Sequence, residues 1–152
     1  MASPRAYALT GSVTNTAAVT QVVLVSTSAI RPAVYDMLIS ASAAPADNAA
    51  QYQVKRFTAA GTTTALTPQA LDSGDPAATA TAGTNASIEP TYTANAILLT
   101  ISANQRTTAR WLARDRGELI CPATAANGLG LFSNAVGGSA FAAQYTVHFS
   151  EG

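Results

Sequence analysis

The chain has 152 residues, of which 48% are hydrophobic and 11% charged, and its formal net charge is zero. A single domain of this length buries roughly two-thirds of the surface its unfolded form exposes, so residues 1–152 are expected to share one core. Zero net charge excludes recruitment to nucleic acid or an anionic membrane by overall charge, and no run reaches the roughly 20 apolar residues of a spanning helix.

Met1-Ala2-Ser3-Pro4-Arg5 runs into polar residues without the apolar stretch of a secretory leader, which predicts synthesis in the cytoplasm. Residues 1–6 read as an N-terminal arm. From Arg5 to Val13 apolar and polar residues alternate loosely; Thr14-Asn15-Thr16 reads as a turn, and Val19 to Val25 as a Val-rich strand. Arg31-Pro32 leads into an extended segment, Ala33 to Ile39, whose parity puts Tyr35, Met37 and Ile39 on one face and Val34 and Leu38 on the other. After a loop at Ala43 to Asn48, Tyr52 and Val54 oppose Gln51, Gln53 and Lys55, one face dry and one wet.

Residues 58–87 are mostly Ala, Thr, Gly, Pro and Asp, which predicts a long polar surface loop with room for one short helical turn within Ala65 to Ala82. Thr91 to Ser102 follows, with Ile97, Leu99 and Ile101 as the clearest inward face. Asn104-Gln105 turns into a strand from Arg106 to Arg114, and a short piece runs from Glu118 to Cys121. Asn127-Gly128-Leu129-Gly130 reads as a hairpin or loop, Gly137-Gly138 as a corner, and in the last strand Phe141, Tyr145, Val147 and Phe149 oppose Gln144, Thr146 and His148. About eight short strands result. They predict an all-β antiparallel sandwich, jelly-roll-like. An immunoglobulin-type core is excluded by the single cysteine, Cys121, which reads as a small buried hydrophobe.

The low charge leaves an exterior of Ala, Thr, Ser, Asn and Gln. Such a weakly hydrated skin favours an oligomer or a docked state. Candidates for chemistry are few. His148, the sole histidine, falls on the polar face of its strand without a recognisable nucleophile setting, and no pair of carboxylates is spaced for acid/base work. Asp72-Ser73-Gly74-Asp75-Pro76, with Asp47, offers oxygens to a calcium ion but equally makes a turn. Asn85-Ala86-Ser87 fits the glycosylation sequon. The sharpest feature is Arg106 to Arg116: in a strand, Arg106, Arg110, Arg114 and Arg116 share parity and form a basic stripe opposite Trp111. That stripe, together with Arg5, is a candidate surface for docking an acidic protein patch or phosphates, unless Asp115, Glu118 or acids from neighbouring strands neutralise it.

The Ala/Thr/Ser-rich strands, the scarcity of lysine, and the stretches Gln53-Val54-Lys55-Arg56-Phe57-Thr58-Ala59, Asp72-Ser73-Gly74-Asp75-Pro76 and Glu89-Pro90-Thr91-Tyr92 give the chain a character that resembles small virion proteins of tailed bacteriophages. Among these it is most similar to the jelly-roll decoration, or cement, proteins of the capsid. The resemblance implies a homotrimer on the capsid exterior that binds the major capsid protein and holds the shell against internal DNA pressure. It implies no catalytic residue, cofactor, metal, membrane or direct nucleic-acid contact, because function is then spread over interface area. The rival expectation is a tail or fibre module that binds a receptor or carbohydrate, with Tyr92, Trp111 or Tyr145 as aromatic platforms.

Overall fold

The computed structural model describes residues 4–134 and 140–152; Met1-Ala2-Ser3 and the Gly137-Gly138 corner lie outside them. The described chain is all strand and connection: β1 (Arg5–Asn15), β2 (Val19–Val25), β3 (Ala33–Ala43), β4 (Ala49–Ala59), β5 (Thr62–Leu66), β6 (Gln69–Ala70), β7 (Thr81–Ile88), β8 (Thr91–Asn104), β9 (Ala109–Leu112), β10 (Leu119–Ile120), β11 (Gly128–Ser133) and β12 (Phe141–Glu151). They form two antiparallel sheets. The first runs β10-β3-β12-β1-β6, with β9 also on the free side of β3; the second runs β5-β7-β2-β11-β4-β8.

The pairings show why this sandwich is a jelly roll. β1 pairs with β12, β2 with β11, β3 with β9 and β10, and β4 with β8, so the first four strands meet the last ones in reverse order, as in a long hairpin rolled up. The segment between β4 and β8 is an insertion into that hairpin. It is not the polar surface loop that its composition predicts, nor does it contain a helical turn. Its Thr-rich pieces become β5 and β7, which extend the second sheet beyond β2, and β6, which extends the first beyond β1. Pairing satisfies the backbone groups of β-branched threonines without requiring much apolar surface to bury.

The core lies between the sheets. Tyr7 and Leu9 from β1, Val34, Met37 and Ile39 from β3, and Tyr145, Val147 and Phe149 from β12 meet Val22 and Leu24, Tyr52 and Val54, and Leu129 and Leu131 of the other sheet. Tyr7 stacks on Phe149 with ring centroids 5.4 Å apart. Alternation alone places most of these residues correctly, but bulges change the parity in three places. In β3 the register slips so that Phe149 faces Val34 while His148 faces Asp36; Val34 turns inward with Met37, and Tyr35 comes to the outside against His148, opposite to its parity expectation. In β8 the register breaks near Ile97, which is 48% exposed, while Leu98, Leu99 and Ile101 pack on the core. The slip between Leu131 and Phe132 skips Gln21 in the pairing of β11 with β2.

The turn expected at Thr14 to Thr16 begins later, because Asn15 belongs to β1 and is fully buried, its Nδ2 donating to Ser133 Oγ across the sandwich at 2.5 Å. Asn127 to Gly130 is not a hairpin. Gly128 opens β11, which lies between β2 and β4 in the second sheet, and both glycines are dictated by contact. A Cβ on Gly128 would lie 2.0 Å from the Leu24 carbonyl oxygen, and one on Gly130 would lie 2.4 Å from the Tyr92 hydroxyl.

Candidate functional site

The outer face of the first sheet carries a patch of uncharged side chains. Thr10, Ser12 and Thr14 of β1 stand beside Thr146, Gln144 and Ala142 of β12, which stand beside Leu38, Ser40 and Ala43 of β3. These side chains are uncharged and, apart from Leu38 and Gln144, small. The face meets charge at one end only, where Asp36 of β3 lies directly across from His148 of β12 and diagonally from Arg110 of β9.

Arg110 grips Asp36 with both prongs, Nε donating to Oδ1 at 2.9 Å and Nη2 to Oδ2 at 2.8 Å. His148 Nδ1 sits 3.3 Å from the same Oδ2, and the His148 ring stacks on Tyr35 at 6.1 Å. The hydrogen bond from Arg110 holds the Asp36 carboxyl below the ordinary carboxylate value, against the opposing push of burial, with His148 assisting. Burial, and then the Asp36 charge, raises the Tyr35 phenol. With both carboxylate oxygens engaged by a guanidinium, Asp36 is arranged to tie β9 and β12 to β3.

The basic stripe does not exist as one face. The strand is confined to Ala109–Leu112, so Arg110 alone of the four arginines lies in it, and its partner is Asp36. Arg106 lies in the preceding turn, where its N–H donates to Asn104 Oδ1 at 2.9 Å. Arg114 begins the next turn, accepting the Gly117 N–H at its carbonyl at 2.7 Å, and Arg116 adopts a left-handed φ of 61°. Parity fails because Asn104, Gln105, Asp115 and Gly117 bend the chain at both ends. Arg106 and Arg5 are exposed cations on separate segments, and Arg114 and Arg116 are exposed in one turn. Trp111 points the other way, as expected, and packs against the core.

A second cluster, on the outer face of the second sheet, was not foreseen. Tyr92 lies over the floor left open by Gly130, with its ring edge-on to Phe57 and Phe132 at 6.5 and 5.8 Å. Its hydroxyl is 2.7 Å from Thr20 Oγ1, and Glu89 accepts both the Thr20 N–H, at 3.0 Å, and the Thr20 hydroxyl. The Lys55 ammonium rests 3.8 Å from the Phe132 centroid and 5.2 Å from that of Tyr92. Burial lowers the Lys55 pKa, partly offset by Glu89, and raises that of Tyr92. The sequence signal was the pair of glycines two residues apart, whose common purpose is the space they leave.

Of the aromatic platforms considered for a sugar site, Tyr145 is 2% exposed in the core with its hydroxyl donating to Thr84 Oγ1 at 2.6 Å, and so presents no face to a ligand. Asp72 closes a turn, its Oδ1 accepting the Gly74 N–H at 2.9 Å, while Asp47 Oδ1 accepts from Asn104 Nδ2 at 2.6 Å. Among the described residues no three His, Cys, Asp or Glu side chains converge as a metal-binding group. Cys121 is fully buried, and burial pushes its thiol up to about 12. Asn85 of the sequon is exposed on β7. No family model, curated protein or solved structure matches this chain.

Proposed function

We propose that this chain is a structural virion protein, a decoration or cement protein that binds the major capsid protein as a homotrimer on the outside of a bacteriophage head. The observation that carries this reading is the outer face of the first sheet. It spans three strands, is built from uncharged and mostly short side chains, and its charged corner is internally neutralised by the bidentate pairing of Arg110 with Asp36. A face of this kind carries no charge to strip of water and few rotamer-rich side chains to immobilise, and its hydroxyls can pair with polar groups of a partner, which favours docking on another protein. Exposed Leu112, at 60%, extends it on the β9 side. Arg5, Arg106, Arg114 and Arg116 supply scattered cations at its surroundings for acidic patches of the shell.

The test is cosedimentation of the purified chain with heads assembled from the major capsid protein of the parent particle, with analytical ultracentrifugation of the free chain. A trimer that saturates the heads at a fixed ratio of copies supports the reading. A monomer that stays in the supernatant at high head concentration overturns it.

A further inference from the structure

The second sheet ends on both sides in strands that have no further partner among the described residues, β8 on one side and β5 on the other. Sheet edges expose unpaired N–H and C=O groups, and monomeric proteins blunt them with brevity, charge or proline. The first sheet follows that rule: β6 and β10 have two residues each, and β9 has four, one of them Arg110. The second lacks charge and proline at its edges, although β5 at Thr62 and the first part of β8 have register breaks. β8 has 14 residues, TYTANAILLTISAN, and β5 has the sequence TTTAL, with no charge and no proline in either. The first part of β8 is irregular, with a left-handed φ of 59° at Asn95 and register breaks against β4. From Leu99 to Asn104 it pairs residue for residue with β4, presenting a straight edge on its other side.

Strand direction adds a second constraint. Every neighbouring pair in this sheet is antiparallel, and the sheet has six strands, so β5 and β8 run in opposite directions. A second copy placed head-to-tail therefore brings its β5 alongside β8 in the antiparallel sense already used throughout the sheet. Such a heterologous contact closes into a ring when the rotation between copies divides a full turn, and propagates as an open filament when it does not.

We propose that β8 of one protomer pairs with β5 of the next, so that the second sheet continues from copy to copy around the trimer; this rests on the trimeric reading above. Thr100 and Ser102 of β8 share the outer face with Thr63 and Ala65 of β5, since Leu99, Ile101 and Leu66 pack inward. The seam apposes Thr, Ser and Ala with no like charges.

Cysteine cross-linking of the full chain tests this. Ala65→Cys or Thr63→Cys is combined with Thr100→Cys or Ser102→Cys, the native Cys121 being buried. Under mild oxidation, at least one double variant is expected to give a ladder ending at a covalent trimer on a non-reducing gel, while each single variant stays uncross-linked. The Thr100→Lys/Ser102→Lys double variant is expected to weaken self-association at least ~100-fold by placing charge on the seam, with a circular-dichroism melt like that of the parent. Dimers from a β8 single variant would show β8 on β8 and overturn the seam. A trimer that no double variant cross-links and the lysines do not dissociate also overturns it, leaving the trimeric reading intact. A parent chain that sediments as a monomer defeats both.

Discussion

Glu151 illustrates how much of the fold hangs on groups that look incidental in the sequence. It ends β12, is 4% exposed, and holds the connection into β7: Oε2 accepts the Thr79 N–H at 3.0 Å and Oε1 the Ala80 N–H at 2.7 Å. Hydrogen bonds to a charged group contribute about 1.5–3 kcal/mol each, so Glu151→Ala removes about 3–6 kcal/mol of interaction. At the lower end of that range for two bonds to one carboxylate, the loss expected is about 3 kcal/mol. For a domain of this size that lowers Tm by about 6–12 °C. A thermal melt at neutral pH measures the fall, and hydrogen exchange at the Thr79 and Ala80 amides locates it. Asp115→Ala, at an exposed turn residue, serves as the control and should change stability by under about 0.5 kcal/mol. A Glu151→Ala melt within about 2 °C of the parent, with both amides still protected, would refute the assignment of the carboxylate as the tie.

Other outcomes follow from the same geometry. Gly128→Ala places a Cβ 2.0 Å from a backbone oxygen of β2 and should cost more than about 2 kcal/mol, read as a lower denaturant midpoint, whereas Gly74→Ala, whose nearest contact is a side-chain oxygen at 3.3 Å, should be tolerated. Because Asp36 titrates below its ordinary value of 3.8 in the fold, its contribution is present above that pH and is lost as pH falls through the lower folded value. Asp36→Asn should therefore reduce stability at pH 7 and flatten the acid limb of the stability profile below pH 3.8; a variant with an unaltered acid limb would refute the pairing. Cys121, with its thiol pushed up to about 12, should not react with a thiol reagent at pH 8 until the protein unfolds.

Strand alternation was legible wherever a strand runs straight. Tyr52 and Val54 against Gln53 and Lys55, and Phe141 to Phe149 against Gln144 to His148, sort to their faces by the period of two alone. Charge scarcity was equally plain, since the sheet face proposed for docking is built from the small polar residues that composition required on the outside. Residues 58–87 misled because a peripheral strand buries little and so leaves little hydrophobic signal, while Arg106 to Arg116 misled because turn-making side chains at both ends interrupt its parity.

By itself, then, the sequence determined the local rules: the alternating faces, the short strands and their breaks, and a skin poor in charge. Only the tertiary structure decided which strands became neighbours, where a bulge reversed a face, and how Asp36, Arg110 and His148 came together from three parts of the chain. The physical reason is that alternation is a property of neighbouring residues, whereas pairing joins strands more than 100 residues apart, such as β1 and β12, and depends on satisfying all of their backbone groups at once.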